Sequence, residues 1–202
     1  MTEIVLSRGE LTRQEIIRAA HELFVMQGFH GTSMRQIADK ANIALSGLYN
    51  HFKNKEDVFK QVFFEYHPYH DVLPALLAAE GDAVERFVRD AFKRMLDALG
   101  DRPDFMNLMF IEVVEFKSVH VKELSAILMP QQLEVLERVK RFESDRLREI
   151  PPLMLISSFL GSFISFILTE IIMSQHQPEG FTKNALDYFI DIYLHGILKD
   201  SY

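Results

Sequence analysis

Between Leu45 and Lys55 the chain reads LSGLYNHFKNK. A hydroxyl, a phenol, an imidazole, two amides and two ammonium groups share that stretch. Tyr49 and His51 can donate to phosphate oxygens, and Lys53 and Lys55 bring positive charge beside them. Leu45 can touch a thymine methyl group, and Ser46 can bond to either base type. Gly47 costs a helix about 1 kcal/mol relative to alanine, but it lets backbone approach a groove wall or a phosphate. Other chemistry-bearing sets are weaker. HPYHD, His67 to Asp71, could ligate a metal from a loop, and is read as a solvated turn between helices. Glu112, Glu115 and His120 are read as helix-surface residues. None of the 8 histidines has a glutamate three residues earlier, so the di-iron Glu-x-x-His signature is missing, as is H-E-x-x-H. With 0 cysteines there is no disulfide, Cys-ligated zinc or thiol catalysis. No cofactor and no metal site is expected.

The elements that must carry the Leu45–Lys55 groups can be drawn from capping signals. Thr12 and Glu15 make a T-x-x-E capping box, followed by Ile16, Ala20, Leu23, Phe24 and Gln27 on one face until Gly28 stops the helix. Ser33 and Gln36 form a second box opening a short helix, Met34 to Lys40, with Ile37 and Ala38 inward. A third helix is expected from Leu45 to His51, burying Leu48 and Phe52. Asn54 then caps a fourth that runs to about Tyr66, before Pro68 and Pro74 interrupt. Two short helices joined by a tight turn, the second with small and polar residues outward, form a helix-turn-helix. On the second, Leu45 and Tyr49 share a face with Ser46 and Asn50 beside them. The start of the fourth helix offers free N–H groups and a positive dipole end to an anion.

The formal charge of −7 argues at first against nucleic acid. Up to Glu65, however, eight Lys/Arg balance eight Asp/Glu, so the deficit lies wholly beyond it. The two parts differ in electrostatic character, which suggests two domains, 1–66 and 67–202. Scarce glycine (9) and proline (7) favour an all-α fold. Further helices are expected at Asp82–Leu99, Asp104–Lys117, Val119–Arg148 with a break near Pro130, Pro152–Ser174 and Lys183–Lys199.

The segment TRQEIIRAAHELFVMQGFHGTSMRQIADKANIALSGLYNHFKNKEDVF resembles the N-terminal DNA-binding domain of the TetR family of transcriptional regulators. The resemblance implies a homodimer on a palindromic double-stranded DNA operator, with a divergent helical C-terminal domain for dimerisation and ligand binding; the thiol-free composition fits a reducing cytoplasm. It also implies repression released by a small-molecule effector. By position Tyr49, His51 and Lys55 would contact phosphate, assisted by Ser33 and Arg35. With Leu45, Ser46, Gly47, Asn50 and Lys53 these make the expected DNA-binding set. Where the family often has Gly-Val-Ser before the recognition helix, this chain has Asn42, Ile43 and Ala44, so the serine cap is missing and Asn42 is expected to compensate.

Leu153 to Thr169 carries no charge and raises a membrane span as a rival reading. Glu170 follows at once with no Lys/Arg cluster, and a buried helix at the core and dimer interface is preferred, with no membrane partner. Its small residues Ser157, Gly161 and Ser165 recur every four positions and suit close helix packing. With Leu186, Phe189, Ile190 and Tyr193 of the last helix they are the expected interface, which the resemblance makes a four-helix bundle across the two-fold axis. Phe92, Met95, Phe105, Met106, Met109, Phe110, Phe116 and Phe163 supply flexible apolar surface suited to a hydrophobic effector. A helical enzyme built on the C-terminal bundle is the other rival.

Overall fold

The computed structural model describes residues 7–100, 102, 104–142, 147–173 and 184–199. Their helices are α1 (Arg8–Gly31), α2 (Met34–Lys40), α3 (Leu45–Tyr49), α4 (Lys55–Tyr66), α5 (Tyr69–Leu77), α6 (Val84–Leu99), α7 (Asp104–Glu115), α8 (Val119–Phe142), α9 (Pro152–Met173) and α10 (Ala185–Ile197). The only extended pairing among the described residues is the isolated antiparallel bridge Leu147–Leu198. The fold is all-α. Two compact units divide the chain, one of residues 1–67 and 102–126, the other of residues 68–101 and 127–202.

In the first unit α1 starts a turn earlier than Thr12 suggests. Ser7 is the N-cap, its side chain accepting from Glu10 N while Glu10 reaches back to Ser7 N at 2.7 Å. Thr12 instead bonds back to Arg8 O inside the helix. The Ser7 box wins because it adds a further turn of hydrogen bonds to the same helix. At Gly28 (φ 74°) the helix kinks and then resumes to Gly31, a left-handed conformation that glycine adopts without steric cost. Ile16, Ala20, Leu23 and Phe24 of α1 are buried with Ile37, Ala38, Leu48 and Phe52, as their spacing predicts, and Ile17 is buried beside them. Rings then interlock: Phe59 stacks on Phe116 with centroids 4.6 Å apart, and Phe29 sets its edge to Phe116 at 5.0 Å. Burying each such ring contributes roughly 1.5–3 kcal/mol.

The turn from α7 to α8 corrects another expectation. Glu112 is 0% exposed and His120 8%, so neither is a surface residue. Ser118 precedes α8 with φ 61°, beside Lys117 at 51°, and a residue so wound lacks the extended backbone of an ordinary N-cap. Capping falls to Glu112. Its Oε1 accepts from His120 N at 2.7 Å and from Val121 N at 3.3 Å, while Oε2 lies 2.7 Å from His120 Nδ1. Further pairs inside this unit join Lys60 to Glu123 at 2.9 Å and His30 to Glu115 at 2.6 Å. His21 stacks on Tyr66 with centroids 3.7 Å apart and sets Nε2 2.8 Å from Asp104 Oδ2. Burial pushes the His21 pKa down, opposed by the Asp104 charge.

Of the HPYHD segment only His67 and Pro68 form the expected turn after α4; Tyr69 to Asp71 already belong to α5 of the second unit. Pro68 sits at the N-cap of α5, where its missing N–H costs nothing, and Pro74 lies inside the helix. Leu76 is buried there. Likewise α8 runs through Pro130 without a break, forfeiting one hydrogen bond. Gly81 fits closely over α6, since a Cβ there would meet Phe87 N at 2.4 Å. Arg138 donates to the carbonyls of Leu77 and Ala79, closing the end of α5. Phe92 meets Phe159 and Phe163 edge-on at 4.7 and 5.9 Å, and Tyr193 donates to Leu155 O at 3.2 Å. The expected helix from Lys183 to Lys199 is seen from Ala185 to Ile197, Lys183 lying outside the described residues.

Candidate nucleic-acid interface

The helix-turn-helix is built by short-range capping. Ser33 accepts from Gln36 N at 3.2 Å, and Gln36 Oε1 accepts from Ser33 N at 2.8 Å, closing the expected box on α2. After α2 the chain turns through Asn42 at φ 55°, a conformation asparagine tolerates better than most residues. Asn42 thus shapes the turn and does not cap α3. The N-cap of α3 is Ala44, which makes no side-chain hydrogen bond. At α4, Asn54 Oδ1 accepts from Asp57 N at 2.8 Å and Asp57 Oδ2 accepts from Lys53 N at 3.3 Å. Asn54 therefore takes the Asp57 N–H, one of those the helix start would otherwise offer an anion, and Asp57 takes that of Lys53 ahead of the helix.

The exposed surface of α3 carries most of the expected contacts. Leu48 alone is buried; Ser46, Tyr49 and Asn50 are exposed, and Leu45, Gly47 and His51 are half-buried. Ser33, Arg35 and Lys53 are exposed beside them. A Cβ on Gly47 would meet nothing within 4 Å, so the missing side chain answers no packing need within the chain.

Charge is sorted around this surface. Arg18 pairs with Glu15 and Glu22, and Lys40 with Glu22 at 2.7 Å, which holds the Glu22 carboxyl below its ordinary range. Among the described residues Arg35 and Lys53 have no such carboxylate partner. A segment of balanced formal charge thereby keeps free cations next to α3.

Lys55 behaves differently from its neighbours. Its Nζ donates to Phe29 O and to Thr32 O, both at 2.6 Å, and lies 4.3 Å from the centre of the Phe29 ring. No local spacing reports these bonds, because both acceptors are main-chain atoms more than twenty residues away.

The other expected sites separate by unit. Phe92, Met95 and Phe163 are buried together in the second unit, whereas Phe105, Met106, Met109, Phe110 and Phe116 belong to the first. Phe110 is 53% exposed, and Phe116 is held among phenylalanine rings. On α9, Ser157, Gly161 and Ser165 are exposed, in line with Met154 and Ile164. On α10, Ile190 and Tyr193 face inward and Leu186 and Phe189 are half-buried. Tyr188, Ile192 and Gly196 form the outward stripe that the sequence reading missed. Their spacing of four marks the alternate face of the same helix.

Residues 16–62 match the family model of bacterial regulatory proteins of the tetR family. The HTH-type transcriptional regulator SrpR of Pseudomonas putida is 28% identical over 200 residues, covering 94% of this chain and 88% of its own. The uncharacterized HTH-type transcriptional regulator YdgC of Bacillus subtilis is 25% identical, covering 82% and 86%. A solved Clostridium perfringens structure, described as a candidate fatty acid metabolism regulator, superposes with a TM-score of 0.64 at 25% identity, over 92% of this chain and 100% of that one. These relatives are regulators of transcription and not enzymes, and members of this group bind DNA as dimers, often with small-molecule effectors. Helix-turn-helix geometry, matched segment and full-length relatives agree: the chain belongs to the TetR family of DNA-binding transcriptional regulators.

Proposed function

We propose that the chain is a homodimeric, cytoplasmic repressor that holds a palindromic operator and releases it when a small apolar molecule binds. The observation that carries the DNA half is α3: Ser46, Gly47, Tyr49 and Asn50 face outward, with unpaired Arg35 and Lys53 alongside. Tyr49, His51, Ser33, Arg35 and Lys53 donate to phosphate oxygens, and Leu45, Ser46 and Asn50 read base edges.

Dimerisation through α9 and α10 fits their outward stripes. Pro152–Ile172 is long and apolar enough to cross a bilayer by length and composition. Its exposed Ser157, Gly161 and Ser165 suit the close approach of another helix. The effector half rests on the buried Phe92, Met95, Phe159 and Phe163 of the second unit, which offer an apolar, aromatic lining and no charged group. An apolar effector is in keeping with the Clostridium relative's description as a regulator of fatty acid metabolism.

Selection of bound DNA from a random pool tests this reading. A two-fold dimer should recover an inverted repeat whose half-sites lie about 34–36 Å apart or a multiple of that. Recovery of unrelated sequences, or of single half-sites only, sinks it.

A further inference from the structure

We infer that Lys55 is a positioning residue of the helix-turn-helix, a clamp that fixes the end of α1 and the start of α2 to the start of α4, and not a phosphate ligand.

The end of α1 presents carbonyls that the helix itself cannot satisfy. Side chains satisfy them one by one. Gln27 Nε2 donates to Gly31 O at 2.8 Å, and the Thr32 hydroxyl donates to Gly28 O at 2.9 Å. Lys55 Nζ donates to Phe29 O, which also accepts from Thr32 N at 3.3 Å, and to the carbonyl of the C-cap Thr32, at 2.6 Å each. Thr32 is only 2% exposed, so its carbonyl lies where an orphaned acceptor is costly. An ammonium at a helix C-terminus is also favoured by the helix dipole, and the Phe29 ring face adds a cation–π contact at 4.3 Å.

The consequence is geometric. Thr32 directly precedes Ser33, the N-cap of α2, and Arg35 stands in the first turn of that helix. Lys55 itself is the first residue of α4. One side chain thus ties together the two helix starts that, on the function proposed above, flank the recognition helix. Moving the ammonium to a phosphate would take its donor from the buried Thr32 carbonyl and leave Phe29 O with only the 3.3 Å bond from Thr32 N.

The test uses Lys55→Met, which keeps the stem against Phe29 and deletes the ammonium, with Lys55→Arg as a charge-retaining companion. Three measurements are made on the full chain below its unfolding transition. Affinity for the selected operator should fall at least 10-fold in Lys55→Met, while the slope of log K against log salt stays unchanged. A slope lowered by about one unit would make Lys55 a phosphate ligand and overturn the inference. Amide exchange in the DNA-free protein should accelerate at least 10-fold at Thr32, Ser33 and Gln36, and stay constant at Leu48 and Val62. Uniform acceleration would reduce Lys55 to a general stabiliser, as would unchanged operator affinity. Should Lys55→Met fail to fold, the wild-type ammonium resonance decides: it should be slowed in exchange and show no 15N–31P coupling on random duplex DNA. A coupling to phosphorus overturns the clamp. A wild-type chain that binds no DNA fails the proposed function instead, and the exchange measurements still judge the clamp.

Discussion

The outward face of α3 and the outward faces of α9 and α10 share one feature and differ in all else. Each carries a helical glycine, Gly47 on α3, Gly161 on α9 and Gly196 on α10, around which a Cβ would meet nothing within 4 Å. Intramolecular packing explains none of the three. Around Gly47 stand Ser46, Tyr49 and Asn50 with free cations nearby; around Gly161 and Gly196 stand Met154, Ile164, Tyr188 and Ile192. On the function proposed above, the same omission prepares a helix for close approach, and the neighbours specify what approaches: a polyanion in one case, an apolar helix in the other. A sequence reader sees three weak helix positions, and only the empty surroundings distinguish them from packing glycines such as Gly81.

The largest expected effect concerns what holds the first face rigid. The unit that carries α3 contains a buried carboxylate capping α8, whereas α9 and α10 pack through apolar and aromatic side chains around the Tyr193 hydroxyl. Glu112→Ala should cost about 3–5 kcal/mol, because it leaves the buried His120 ring and two N–H groups unpaired. Glu112→Gln keeps one acceptor and should cost much less. Denaturant unfolding of both variants checks this, and equal losses would show that bulk, not hydrogen bonding, matters at that corner.

The next effect separates the faces by chemistry. Ile192→Glu puts a charge on the α10 stripe, where Ile192 is 72% exposed in the single chain. If a second copy covers that stripe, dimer dissociation should strengthen about 100-fold, near 2.7 kcal/mol. Operator binding should weaken with it. Sedimentation equilibrium reads the first and titration with operator DNA the second. A dimer as tight as wild type would remove α10 from the interface and leave α9 alone to explain it.

How far the sequence foretold these faces follows the range of the interactions. Ser33 with Gln36, Asn54 with Asp57 and the Gly28 break act within a few residues, and α2 and α4 lie where those signals put them. The boundary of α1 slipped because two capping boxes compete five residues apart, and the longer helix won. Lys55 and Glu112 were unreadable for a shared reason: each satisfies main-chain atoms of another helix end, one as a cation on carbonyls, the other as an anion on N–H groups. No spacing rule within a single helix reports such a bond. On α10 the three- and four-residue periodicity was clear, yet apolar residues stand on both sides of its Asp187–Asp191–His195 row, and the sequence could not say that Ile190 and Tyr193 turn inward while Tyr188 and Ile192 turn out.

The smallest effect is the sharpest on the comparison, because it predicts opposite signs in two measurements. Gly47 lies in the middle of the five-residue α3 with nothing near its missing Cβ. In the free protein Gly47→Ala should therefore stabilise, by up to about 1 kcal/mol, raising Tm by roughly 2–4 °C for a chain of this size. If α3 enters the major groove with its backbone close to the DNA, the added methyl group meets a groove wall or a phosphate that the free protein lacks. Operator affinity should then fall several-fold in a variant that is more stable than wild type. Thermal unfolding without DNA and equilibrium titration with the selected operator supply the two readings. A stabilised variant with undiminished affinity would mean that Gly47 does not lie against DNA, and that the empty surroundings of a helical glycine mark an approach surface only on α9 and α10.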